Sequence, residues 1–144
     1  MPEPSFAPQF VEISAEESLR LLGTTRVGRV GLSVGALPVI LPVNFALFEG
    51  AVVMRTIPGT KLQAAAVGAI VAFEADGYEP DGRAGWSVMI QGQAREVSDP
   101  GELAQLRGLP LEAWALDGAA DRFVRIEASI ITGRSFAPRD EPDV

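Results

Sequence analysis

Cysteine and histidine are both absent from the 144 residues, and a single lysine, Lys61, stands beside eleven arginines. Without cysteine there are no disulfides and no thiolate metal sites. Without histidine the usual general base, the commonest metal ligand and the physiological-pH switch are missing. Cys-His and Ser-His-Asp nucleophile arrangements cannot exist here, so a hydrolase working through its own side chains is disfavoured and no metal site is expected. Clustered basic charge is lacking too: the formal net charge is -7 and the arginines are scattered, which argues against nucleic-acid binding through phosphate neutralisation. No apolar run reaches the roughly 18 residues of a membrane span, so no membrane partner is expected. The opening "MPEPSFAPQF" has neither a basic n-region nor a continuous apolar core and does not read as a signal peptide. A cytoplasmic protein is the expectation.

The residues present describe one globular domain. Hydrophobic residues make up 47% and charged residues 22% of the chain, and a chain this long buries about two-thirds of its unfolded surface. A Pro-rich N-terminal segment, 1–11, and a polar tail, 137–144, read as flexible flanks of a domain over 12–136. Ser14 with Glu17 fits a capping box that opens a helix ending near Leu22. "RVGRVGLSV", "LPVILPVNFALF" and "AVVMRT" read as strands joined by the Gly35-Ala36 and Glu49-Gly50 turns. Pro38 and Pro42 cannot donate to a ladder, so the second of these strands is bent or edge-like. Strands over 68–76 and 86–97 follow, the latter interrupted at Gly92 by a bulge or bend. Asp99 and Pro100 open a helix to about Arg107, and 122–136 supplies the last strand or strand pair. Six or so strands with glycine kinks and short helices predict a small, mostly antiparallel β-barrel.

The stretch "VVMRTIPGTKLQAAA", Val52 to Ala66, carries the chemistry. A strand ends on Arg55-Thr56, a Pro58-Gly59 turn follows, and a helix opens at Thr60 with Lys61 in its first turn. The start of a helix already carries about +0.5 charge, so a lysine there is unfavourable unless an anion offsets it. The Arg55 guanidinium, the Lys61 ammonium, free helical N–H groups and the Thr56 and Thr60 hydroxyls can converge on one phosphate. Equally, Arg55 and Lys61 can be surface cations paired with nearby carboxylates. Neither a Walker motif nor a dinucleotide fingerprint is present, and spacing alone leaves both readings open.

The order "GALPVILPVNFAL", "VVMRTIPGTKLQAA", "AFEAD", "GWSVMIQGQAREV" and "RFVRIEASIITGRSF" resembles the pyridoxamine 5′-phosphate oxidase-like family of flavin-binding split barrels over roughly residues 12–136. The resemblance implies a six-stranded antiparallel Greek-key split barrel that forms a homodimer, with FMN sites at the dimer interface. It further implies that Arg55, Thr56, Thr60 and Lys61 hold the FMN phosphate and that Val43 and Asn44 lie along the isoalloxazine. Trp86 and Ser87 would line the cofactor cleft, reaching toward the flavin of the facing subunit. The activity implied is hydride transfer between flavin and a small organic substrate, with the cofactor supplying the redox chemistry. The C-terminal R-x-H motif of the pyridoxamine phosphate oxidases proper is lacking, which argues against that activity itself. An F420-dependent reductase on the same fold and a non-catalytic flavin-binding or redox-sensing dimer are the alternatives.

Other polar and aromatic residues carry blander readings. Trp86 serves equally well as a core or interface plug, and Trp114 as an anchor over the barrel. Arg125 reads as part of a solvated or ion-paired face, and Glu74 and Asp76 as surface charges. Asn44, between Val43 and Phe45, needs a polar partner if buried.

Overall fold

The structure is a computed structural model that describes residues 9–57, 59–60, 64, 66–111 and 122–138. Its strands are β1 (Gln9–Ile13), β2 (Val27–Val34), β3 (Leu37–Asn44), β4 (Ala46–Phe48), β5 (Ala51–Thr56), β6 (Ile70–Tyr78), β7 (Gly85–Glu96) and β8 (Arg122–Ala137). Among the described residues two helices join them, α1 (Ala15–Leu22) and α2 (Pro100–Arg107). All strand pairs are antiparallel, in the order β3-β2-β6-β7-β8-β5-β4, with β1 on the far end of β8. β3 and β4 stand at opposite ends of this path yet are separated in the chain by Phe45 alone. One continuous segment therefore joins the two ends of the hydrogen-bonded path, and the sheet curls into a split barrel. The Phe45 amide still donates to the Arg26 carbonyl at 3.0 Å, so the break is a redirection of the strand.

Eight strands replace the expected six because residues 37–48 divide at Phe45 and because β1 forms. β1 takes in Gln9–Val11, placed by the sequence reading in the N-terminal flank, and β8 takes in Ala137 from the expected tail. Residues 139–144 of that tail, Lys61, Trp114 and half of the helix expected over 60–67 lie outside the described residues.

The local expectations hold where a residue dictates backbone geometry. Ser14 Oγ accepts from the Glu17 amide at 3.1 Å, and Asp99 Oδ2 accepts from the Glu102 amide at 2.9 Å with Pro100 in the first turn. Both are N-caps that satisfy amides the helix leaves unpaired. β3, with its two prolines, is at the end of the path. The register of β7 against β8 shifts between Gln91 and Gly92, and a Cβ at Gly92 would overlap the Glu127 carbonyl. Only glycine fits that bulge.

Period-two alternation sends residues to two separate cores. Val30, Val43, Phe45, Val52, Met54, Phe73, Val88, Ile90 and Ile126 fill the barrel interior, with α1 contributing Leu22. Val53, on the other face of β5, joins Val97, Leu106, Leu111 and Phe123 in an outer cluster that α2 covers. β5 is thus buried on both faces, and it delivers Arg55 to the rim of the outer cluster.

Candidate functional site

Arg55 stands opposite Phe123 and Thr56 opposite Arg122 in the β5–β8 ladder. The Arg55 guanidinium lies over the Phe123 ring, 5.4 Å from its centroid. A cation so placed gains about 0.5–2 kcal/mol, and the buried ring beneath it fixes where the charge sits. Thr56 is buried, and its hydroxyl donates to the Arg122 carbonyl at 3.3 Å. Past Ile57 the chain turns through Gly59 at φ +81°, a left-handed conformation that glycine adopts without strain. The Thr60 hydroxyl donates to the Ile57 carbonyl at 2.9 Å, and the Thr60 carbonyl accepts from the Ala64 amide at 3.0 Å. Thr60 and Ala64 are thus joined by an i to i+4 backbone hydrogen bond, and residues 61–63 lie outside the described residues. Between Gly50 and Phe73 the sequence holds no Asp or Glu, so the local donor set is cationic and hydroxylic.

A cavity of about 270 Å³ opens beside β3 and is lined by Arg26, Asn44, Phe45, Pro110 and Leu111. Asn44 pairs in register with Val27, and Leu111 shares the outer apolar cluster with Phe123. That cluster links the cavity wall to the ring beneath Arg55. Val43 turns its side chain into the barrel interior and pairs with Gly28. Because β3 ends the pairing path, half of its backbone polar groups face away from β2.

Trp86 and Ser87 lie elsewhere. Trp86 packs against the barrel interior beside Gly77, opposite Ser135, and Ser87 faces outward between Asp76 and Arg134. Phe123 and Ser135 are twelve residues apart on β8, a path of about 40 Å for an extended strand. Within one chain, no strand pairing brings Trp86 or Ser87 beside Arg55 or Thr56.

Glu74 and Asp76 are more than solvated surface charges. Both are largely covered on β6 and share one cation, Arg29, at 3.3 and 3.5 Å. Burial, followed by the hydrogen bond and negative charge of Asp76, pushes the Glu74 carboxyl up to about 7 against the opposing pull of Arg29. Among the described residues no group of acidic side chains is arranged to hold a metal ion, and no helix is long and apolar enough to cross a membrane.

The sequence model for pyridoxamine 5′-phosphate oxidase matches residues 14–135. The chain belongs to the pyridoxamine 5′-phosphate oxidase family. The match runs from the N-cap of α1 to near the end of β8, so it includes every site residue named above. An uncharacterized protein of Mycobacterium tuberculosis is 41% identical over 135 residues, covering 90% of this chain and 88% of its own length. The FAD-binding protein of Mycobacterium smegmatis superposes with a TM-score of 0.77 at 36% identity, covering 88% of this chain and 99% of that one. An FAD-binding protein of Mesorhizobium loti gives 0.71 at 25% identity, with 91% and 99% covered. The split-barrel architecture expected from the motif order is thereby established.

Sequence reasoning passed over Arg26, Leu111 and Phe123. Phe123 opposes Arg55 only through strand register, and Arg26 reaches Asn44 only because β2 and β3 form a hairpin. The Gly35-Ala36 turn was the one signal that could have placed Arg26 and Asn44 side by side.

Proposed function

We propose that this chain is a homodimeric, flavin-dependent oxidoreductase acting on a small organic molecule, with the flavin phosphate held at the turn between β5 and the helix opening at Thr60. The observation that carries the reading is the placement of the Arg55 guanidinium over Phe123 at the mouth of a Gly59 turn, in a stretch without acidic residues. The residues fit such a group: a phosphate accepts from a guanidinium, a lysine and first-turn amides, and Arg55, Lys61 and the helix start supply them. Val43 and Asn44 on the end strand would border the ring system. Bound flavin supplies hydride transfer; the protein binds, orients and shields.

FMN is the smallest flavin that carries a phosphate to the turn. The two FAD-binding neighbours support FAD at least as well, since its inner phosphate is that of FMN. The dimer has its own support. Ile40, Gly31, Ala72, Gln91 and Ile130 form one row across the outer sheet face, and Ile40, Ile70 and Ile130 are 72%, 71% and 56% exposed. Isoleucines so exposed on one face favour a second copy as cover. A dimer also offers a route for Trp86 and Ser87 to reach a flavin held by the other subunit.

The visible spectrum of freshly purified protein, with mass analysis of what denaturation releases, tests the reading. A flavin absorbance band and release of FMN or FAD are expected. Colourless protein that gains no melting temperature from either flavin defeats it, and release of F420 replaces it with the deazaflavin.

A further inference from the structure

In a chain with 19 acidic residues, arginines find carboxylates easily. Arg20, Arg29, Arg95, Arg122 and Arg125 each lie within 3.7 Å of at least one. Arg26, like Arg83 and Arg134, pairs with no carboxylate among the described residues. It instead lines the 270 Å³ cavity with Asn44, Phe45, Pro110 and Leu111.

The root of the Arg26 side chain is fixed. Its carbonyl accepts from the Phe45 amide at 3.0 Å, and the next residue, Val27, pairs with Asn44. Phe45 and Leu111 are buried, and the Phe45 ring packs edge-on against Phe73 at 4.7 Å between centroids. The cavity is thus lined by an arginine and an asparagine together with a phenylalanine, a proline and a leucine. Its volume lies just below that of typical ligand pockets, about 300–1,000 Å³, so a small molecule is the size it admits.

We propose that this cavity is the substrate subsite and that Arg26 receives the carboxylate of a small, largely apolar substrate, with Asn44 as the second polar contact. A guanidinium presents parallel N–H donors that match a carboxylate in a forked pair. The apolar lining accommodates the uncharged body of the molecule. This rests on the flavin reading above, because Asn44 is also the residue expected beside the ring system, so a substrate in this cavity would lie next to the flavin.

Benzoate and its neutral analogue benzamide are the probes. Each is titrated calorimetrically into the purified protein, as isolated and saturated with flavin, for the wild type and for Arg26→Gln. Wild type is expected to bind benzoate at least tenfold more tightly than benzamide, and Arg26→Gln to lose that preference while its flavin affinity stays within about twofold. Arg26 is exposed, so the substitution leaves the fold intact, which a melting curve checks. Equal affinity for the two probes, no binding of either, or a preference kept by Arg26→Gln overturns the assignment. Loss of flavin loading in Arg26→Gln also overturns it, by giving Arg26 to the cofactor. The two readings fail separately: wild type that takes up flavin without preferring benzoate defeats the subsite alone. Wild type that prefers benzoate through Arg26 but takes up no flavin defeats the flavin reading and leaves an anion site.

Discussion

The region around Arg125 and the region around Arg26 treat the same side chain in opposite ways. Arg125 is 11% exposed, with Glu127, Glu102 and Glu49 at 2.7, 3.1 and 3.7 Å, and its guanidinium lies 5.8 Å from the centre of the Phe48 ring. It ties β8 to the first turn of α2 and to the β4–β5 turn, so its charge is consumed within the fold. Arg26 stands at a cavity mouth where no carboxylate among the described residues meets it. A cation neutralised by its own chain is scaffold; one kept from carboxylates beside a cavity remains available to an external anion. Arg29 falls between, one cation serving two carboxylates.

The largest expected effect lies in the saturated region. Arg125→Ala should cost about 1–3 kcal/mol, because Glu102 and Glu127 lose their more buried cation and keep only Arg95. Urea denaturation measures this, and a loss below about 0.5 kcal/mol would show that the network is not structural and break the comparison. Flavin affinity should be unchanged in this variant.

The intermediate region should give a pH signature. Burial and the neighbouring Asp76 push the Glu74 carboxyl up to about 7 in the folded chain, from an ordinary 4.5. Between those values the folded state holds a proton that the unfolded state has released, so stability falls as pH rises through that window. Solvent screening moderates the size of the fall, since the side chain is one-third exposed. Glu74→Gln should flatten the pH dependence of the urea midpoint between pH 4.5 and 7, and an unchanged slope would place the titration elsewhere.

The smallest stability effect is expected at the cavity. Arg26→Gln should change stability by no more than about 0.5 kcal/mol, as for other exposed positions. A loss comparable to that of Arg125→Ala would erase the distinction between the two regions.

What the sequence disclosed and what it hid follow one physical line. Features set by a residue's own backbone chemistry were legible: the Ser14 and Asp99 caps, the prolines that confine β3 to the end of the path, the bulge at Gly92 and the turn at Gly59. The order of residues also disclosed the family, and with it Arg55 and Thr60 at the strand-to-helix turn. Non-local pairing was hidden. Nothing near Phe45 announces that β3 and β4 part to opposite ends of the sheet, or that Phe123 rises beneath Arg55. The cavity draws Arg26, Asn44 and Leu111 from three distant segments, so no local pattern could assemble it. Glu74 and Asp76 looked like solvated charges because alternation gives the face of a strand but not how closely its neighbours cover it.

The central proposal is a phosphate grip at the turn after β5. Flavin titration of wild type and of Arg55→Ala combined with Lys61→Ala, read by fluorescence quenching, tests it directly. Hydrogen bonds to charged groups contribute about 1.5–3 kcal/mol each, so the double variant should bind flavin roughly 100-fold more weakly or worse, with its melting temperature in the absence of flavin little changed. Wild-type flavin affinity in the double variant would contradict the account.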